Sequence, residues 1–282
     1  MDFSLSMEQE ILRNSVRDFA EKEIKPVVRE LDEKEEFSYE TMRKMADLGL
    51  FGMFVSEKYG GQGMDYVSYI IATEEIARVD GSHAATVAAG NSLGIGPLYY
   101  FGNEEQKEKY LPALCSGEAL WGFGLTEPNA GSDAGNSKTT GVLKDDQWVV
   151  NGSKIFITNA STKITSGVTA LCRTGTREDG RPELSCILVE SGTPGFDARE
   201  MHGKLMWRAS NTSELYFDDC PSHRRTFWVQ EVMAFTRCCR PWTGAASPSA
   251  PWGWEGHRGV WIWPLNTAGN GNSSANPSPT SR

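Results

Sequence analysis

Phe123-Gly124-Leu125-Thr126-Glu127-Pro128-Asn129-Ala130-Gly131-Ser132-Asp133 stands where the period of the chain changes. Before it, apolar residues recur at helical spacing; after it come short β-branched and aromatic segments separated by turn residues. The stretch itself mixes hydroxyls, glycines and acids. Such a loop can set backbone N–H groups and the Thr126 and Ser132 hydroxyls against a polar ligand, while its glycines permit close approach. Composition alone describes a turn-rich linker at least as well. It is no phosphate loop of the Walker kind, since the Gly-Lys-Ser/Thr ending is absent and no GxGxxG follows a strand here.

Upstream, Ile11, Val16, Phe19, Ile24 and Val27 recur among many charges, predicting one amphipathic helix over residues 6–36. Ser6 is placed to cap it, with Gln9 completing a capping box. A second helix is expected over 39–48, ended by Gly49, and a third over 66–78 after the Gly60, Gly61 and Gly63 loop. A buried helix around 84–89 and one over 103–114, capped by Asn103, complete a segment that is nearly all helix.

Downstream, strands are expected at 148–150, 154–158, 168–172, 186–189 and 214–217. Asn151-Gly152 and Asp179-Gly180 are the strongest hairpin cues. Helices followed by strands, with no alternating β-α-β, predict an α+β fold with segregated domains. The expected division is an all-helical domain over 1–119, a central β domain over 120–220, and a remainder over 221–282.

The remainder differs in composition. The chain has 282 residues and net charge −9, yet residues 1–220 hold 22 basic and 35 acidic side chains, whereas 221–282 hold 6 and 2. The last 62 residues also contain six of the nine Trp, seven of the thirteen Pro and no Lys. Their low aliphatic content argues against a core of their own and predicts disorder. The overall acidity demotes nucleic acid and anionic membranes as partners. No apolar run approaches the roughly 18 residues a membrane span needs. The opening lacks the pattern of a signal or transit peptide, so a cytoplasmic location is expected. Cys115, Cys172, Cys186, Cys220, Cys238 and Cys239 show neither disulfide-scaffold density nor paired CxxC metal ligands, and read as buried or incidental thiols. No metal site is expected, and His83 and His202 read as packing or surface residues.

Three motifs in order carry a resemblance: Tyr59-Gly60-Gly61-Gln62-Gly63, the Phe123 to Asp133 stretch, and Phe156-Ile157-Thr158-Asn159. Together with Glu74-Glu75-Ile76-Ala77-Arg78 and Trp207-Arg208-Ala209-Ser210-Asn211-Thr212, they closely resemble the acyl-CoA dehydrogenases over about residues 3–220. The resemblance implies an N-terminal helical domain, a central β-barrel-like domain and a C-terminal four-helix domain, with FAD between the last two. It implies α,β-dehydrogenation of an acyl-CoA, short-chain as the best expectation, with electrons passed to an electron-transferring flavoprotein. By motif position, Phe123, Leu125 and Thr126 would contact the flavin, and Ser132 would sit between the cofactor pyrophosphate and the CoA portion of the substrate. Phe156 would lie against the isoalloxazine and Thr158 near N5. Glu127 and Asp133 resemble an acid/base pair but are assigned structural roles, because the family's base usually lies in the C-terminal domain.

After Cys220 the family pattern stops. Reading the last base of each codon with the first two of the next, Phe227-Trp228-Val229 must become Leu-Gly, and residues 224–227 permit Glu-Asn-Leu before it. The same frame forces Asp from Trp242-Thr243 and permits Leu-Asp-Gly-Gly-Arg from Pro241 onward. Both windows match family stretches, so a frameshift near Cys220 is expected. Its consequences would be loss of the four-helix domain, the Glu base and the main homotetramer interface. The chain as written would then bind FAD weakly or not at all, with negligible activity; the alternative is a non-catalytic remnant or interaction protein.

Overall fold

A computed structural model of the chain describes residues 4–178 and 180–223. The helical part comprises α1 (Met7–Phe19), α2 (Val28–Lys34), α3 (Tyr39–Asp47), α4 (Tyr66–Ala77), α5 (Gly81–Ala89), α6 (Gly96–Phe101) and α7 (Glu104–Cys115). The sheet comprises β1 (Leu120–Gly124), β2 (Thr140–Lys144), β3 (Gln147–Thr158), β4 (Thr165–Thr176), β5 (Pro182–Glu190), β6 (Phe196–Glu200) and β7 (Thr212–His223).

The expected helix over 6–36 is interrupted. Its start is as predicted, with the Gln9 amide donating to Ser6 Oγ and the Ser6 amide to Gln9 Oε1. At Ala20–Ile24 the backbone widens into a π turn. Pro26, which lacks an N–H, then separates that turn from α2. Val16, Ala20 and Ile24 face the core, whereas Ile11, placed on the apolar stripe by spacing, is 56% exposed. α3 ends as expected: Gly49 has φ of +77°, with its amide bonded to Ala46 O and that of Leu50 to Met45 O.

α5 passes directly through a π turn at Gly90–Ile95 into α6. Asn91, fully buried in that turn, donates to Leu50 O and Val87 O and accepts from the Met53 amide. Gly94 is required for close approach, because a Cβ there would stand 2.6 Å from the Trp121 carbonyl oxygen. Trp121 in turn stacks obliquely on Tyr110 and donates through Nε1 to Thr169 Oγ1. Leu120, Trp121 and Leu188 belong to the same buried cluster as Phe51, Met53, Ile76 and Leu111, so one core runs from the helices into the sheet.

Strand order is β1-β4-β2-β3-β7-β6, with β5 also on β4. β1 runs parallel to β4 and β2 antiparallel to β3. The sheet is curled: Ser222 Oγ on β7 donates to Leu188 O on β5, and the chain just past β1 bonds β3. Its own core holds Val150, Ile157, Val168, Ile187, Leu215 and Phe217.

The two segments expected at 148–150 and 154–158 are one strand, β3, and Asn151-Gly152 is not a hairpin turn. Asp145 and Asp146 make the β2–β3 turn instead, both at positive φ, as a tight primed turn demands. Gly152 lies opposite a register shift in which β7 carries the extra residue, with Asp219 at positive φ, and a Cβ on Gly152 would clash with Thr139. Around Gly180, the Arg177 amide bonds Arg181 O and closes the turn between β4 and β5 where it was expected. Of residues 221–282, only 221–223 are described, as the end of β7; the expectation of disorder falls on residues outside the described ones.

Candidate functional site

β1 is buried along its length and delivers the chain to Leu125 and Thr126, both half-buried. Phe123 packs with Leu171, Leu184 and Cys186, joined by Leu93 and Phe101 from the helical part and by Leu125. The Ile155 amide then donates to Thr126 O at 2.9 Å. That bond ties the strip 125–127 to β3 at the residue before Phe156.

Phe156 faces outward because of a local irregularity. Between Lys154 and Ile157 the β3–β7 register slips, so one extra residue is accommodated on β3. Phe156 occupies this bulge with φ of +63°, a region costing roughly 1–2 kcal/mol for a residue with a Cβ. The result is a ring 61% exposed beside a buried Lys154 and a buried Ile157. Bulges of this kind re-aim side chains.

Among the described residues, neither the Thr126 nor the Thr158 hydroxyl has a hydrogen-bond partner within the chain. An exposed aromatic face and hydroxyls free to bond are the groups that suit a flat heteroaromatic ring with polar edges. Ser132 is exposed beyond a tight loop closed by reciprocal amide bonds between Glu127 and Ala130. No described hydrogen bond ties it to the strip.

Glu127 turns inward. Its carboxylate is 4% exposed and accepts from Lys154 Nζ at 2.8 Å, the Lys138 amide at 2.7 Å, the Thr139 amide at 2.9 Å and the Ser137 hydroxyl. Burial pushes this carboxyl up, but Lys154, Ser137 and Thr139 outweigh it and hold it down at about 2. A carboxylate so well satisfied is a poor proton acceptor. Asp133 is exposed on the loop.

Lys154, Ser137 and Thr139 were not singled out by sequence. A signal existed: period-2 counting from the buried Val150 puts residue 154 on the inward face, and a buried cation requires an anion. His83 is a packing residue, with Nδ1 on Asp80 and Nε2 on Thr41; His202 is exposed. Cys115, Cys172, Cys186 and Cys220 are free and buried. Burial pushes the Cys115 and Cys172 thiols up to about 12 and the Cys220 thiol to about 11, so none is poised as a nucleophile. Among the described residues there is no cluster of His, Cys, Asp and Glu able to hold a metal, and no helix long and apolar enough to cross a membrane.

The acyl-CoA dehydrogenase N-terminal domain model matches residues 6–118, and the middle domain model matches residues 122–220. The short-chain specific acyl-CoA dehydrogenase of Clostridium acetobutylicum is 45% identical over 219 residues, covering 78% of this chain and 57% of that protein. The chain thus spans just over half the length of the curated relatives it matches. Butyryl-CoA dehydrogenase from Megasphaera elsdenii superposes with a TM-score of 0.83 at 35% identity, covering 95% of this chain and 68% of that one. A glutaryl-CoA dehydrogenase from Mycobacterium smegmatis, solved with FADH2, superposes with a TM-score of 0.79 at 30% identity, covering 94% and 63%. With helices and curled sheet in matching order and both domain models satisfied, the chain belongs to the acyl-CoA dehydrogenase family.

Proposed function

We propose that residues 4–223 form the FAD-contacting part of a short-chain acyl-CoA dehydrogenase, and that the proton-abstracting base is not among them. The observation that carries this reading is the outward aim of Phe156 on a left-handed bulge tied by its neighbour Ile155 to Thr126. In this reading Phe156 stacks on the isoalloxazine, Phe123 and Leu125 back it, and the Thr126 and Thr158 hydroxyls bond its polar edges. Ser132 contacts the pyrophosphate and the CoA portion of the substrate. Bound, FAD supplies the two-electron acceptor for the β-hydrogen of the acyl group. The chain's own residues orient that ring and exclude water from one side of it. Electron-transferring flavoprotein is the proposed acceptor, and a short acyl-CoA such as butyryl-CoA the substrate, in keeping with the short-chain and butyryl-CoA names of the relatives.

Glu127, the carboxylate on the strip itself, is committed to Lys154, so α-proton abstraction is assigned to a group from elsewhere. The compositional change after Cys220 and the codon windows at 224–229 and 241–243 support a reading-frame change there. For the chain as written we therefore propose weak FAD binding, no homotetramer and negligible turnover. Adding butyryl-CoA to the purified, FAD-supplemented chain should leave the flavin absorbance unchanged; bleaching would overturn the proposal. Resequencing the gene across codon 220 tests the frame directly, and an uninterrupted frame with codons unlike the family in both windows would remove that part.

A further inference from the structure

We infer that the buried Glu127–Lys154 pair is a positioning device for the ring seat, fixing the spacing between Thr126 and Phe156. The inference rests on the FAD reading above and adds residues which that reading does not use. Lys154 is fully enclosed, and each of its ammonium contacts goes to one neighbourhood: Glu127 Oε1 at 2.8 Å, Ser137 Oγ at 3.1 Å and Leu125 O at 3.3 Å. Glu127 is in turn held by two backbone amides and the Ser137 hydroxyl. The room for the lysine stem comes from β1, where a Cβ on Gly124 would stand 3.3 Å from Lys154 Cγ.

The placement of these bonds indicates their role. Leu125 O and the Glu127 carboxylate flank Thr126, so the ammonium grips the strip on both sides of it. On β3, Lys154 immediately precedes Ile155, whose amide bonds Thr126 O, and Phe156 follows. Phe156 lies where the β3–β7 register slips, so regular ladder pairing does not set its position. The ion pair supplies a constraint there. Buried pairs contribute little net stability compared with neutral residues of similar shape, whereas removing one partner leaves a costly unpaired charge. A role in positioning therefore separates from a role in folding when both charges are removed together.

The test uses the full chain. Glu127→Gln and Lys154→Met singly should lower the melting temperature. The double variant Glu127→Gln/Lys154→Met, which removes both charges and keeps one oxygen to accept from the Lys138 or the Thr139 amide, should melt closer to the parent than either single variant. It should nevertheless bind FAD about tenfold more weakly, as expected for losing one well-placed contact. Hydrogen exchange should quicken in the peptide containing Ile155 and stay unchanged in peptides from α4 and β5. A double variant with parental FAD affinity and parental exchange at Ile155 would show the pair to be structural only and overturn the inference. If the parent chain binds no FAD, the functional reading fails on its own, and exchange at Ile155 alone decides the positioning role. If the double variant does not fold, Lys154→Arg replaces it, keeping the charge while moving the donor. Unchanged affinity and exchange in that variant would equally overturn the inference.

Discussion

The Ile155 amide donates to the Thr126 carbonyl across 2.9 Å, joining the chain just past β1 to the bulge that turns Phe156 outward. One backbone bond thus ties together two segments distant in sequence. The seat is built from an irregularity in β3 rather than from its regular ladder.

Phe156 holds a conformation that favours glycine while burying little of its ring. Phe156→Gly should relieve roughly 1–2 kcal/mol of backbone strain and give back part of it in unfolded-chain entropy, for a net gain of about 0.5 kcal/mol in urea unfolding. FAD binding, followed by quenching of flavin fluorescence, should fall at the same time. Loss of stability with unchanged affinity would show that the ring packs within the protein instead.

The Thr126 and Thr158 hydroxyls contribute nothing to internal bonding. Thr126→Val and Thr158→Val should each change stability by less than about 0.5 kcal/mol, as typical surface substitutions do. Each should weaken FAD binding by about 1 kcal/mol, the net value of one hydrogen bond. Thermal melts and FAD titrations on the same samples check both halves.

Acid should act through Glu127. Its folded value of about 2 lies below the ordinary 4.5, so the deprotonated form is favoured by folding. The stability it supplies is complete above about pH 4.5 and is lost as pH falls toward 2. In Glu127→Gln this contribution is absent throughout. Denaturant midpoints of the parent and the variant should therefore differ at pH 6 and converge as the pH approaches about 2.

Gly94→Ala tests the junction between helices and sheet. The new methyl would meet the Trp121 carbonyl, a backbone atom that cannot swing away. A cost of about 1–3 kcal/mol is expected, as for other overpacking changes, and is measurable by urea unfolding.

Much of this architecture was legible in the residues themselves. Ser6, Asn103 and Gly49 mark helix ends because capping chemistry is local, and the structure places all three where spacing predicted. Asn151-Gly152 misled because the dipeptide runs on in extended β3 opposite a bulge in β7, where Asn151 bonds Asp219, and only that pairing reveals it. The break in the helix over 6–36 combines a π turn, which has no periodic signal, with Pro26, a helix breaker legible in the residues. Motif position picked out Phe156, yet its outward aim comes from a register slip between strands far apart in sequence. Lys154 escaped notice because a lysine in a strand ordinarily faces water, and its partner Glu127 lies 27 residues away.

In the proposed reading, the strip 125–127 and the bulge at Phe156 form one seat for FAD. Titration of the full chain with FAD, beside Phe156→Gly under identical conditions, tests it most directly. The parent should show weak but saturable quenching of flavin fluorescence, and the variant at least severalfold weaker binding. Equal affinity in the two proteins, or no saturable binding by the parent, would contradict it.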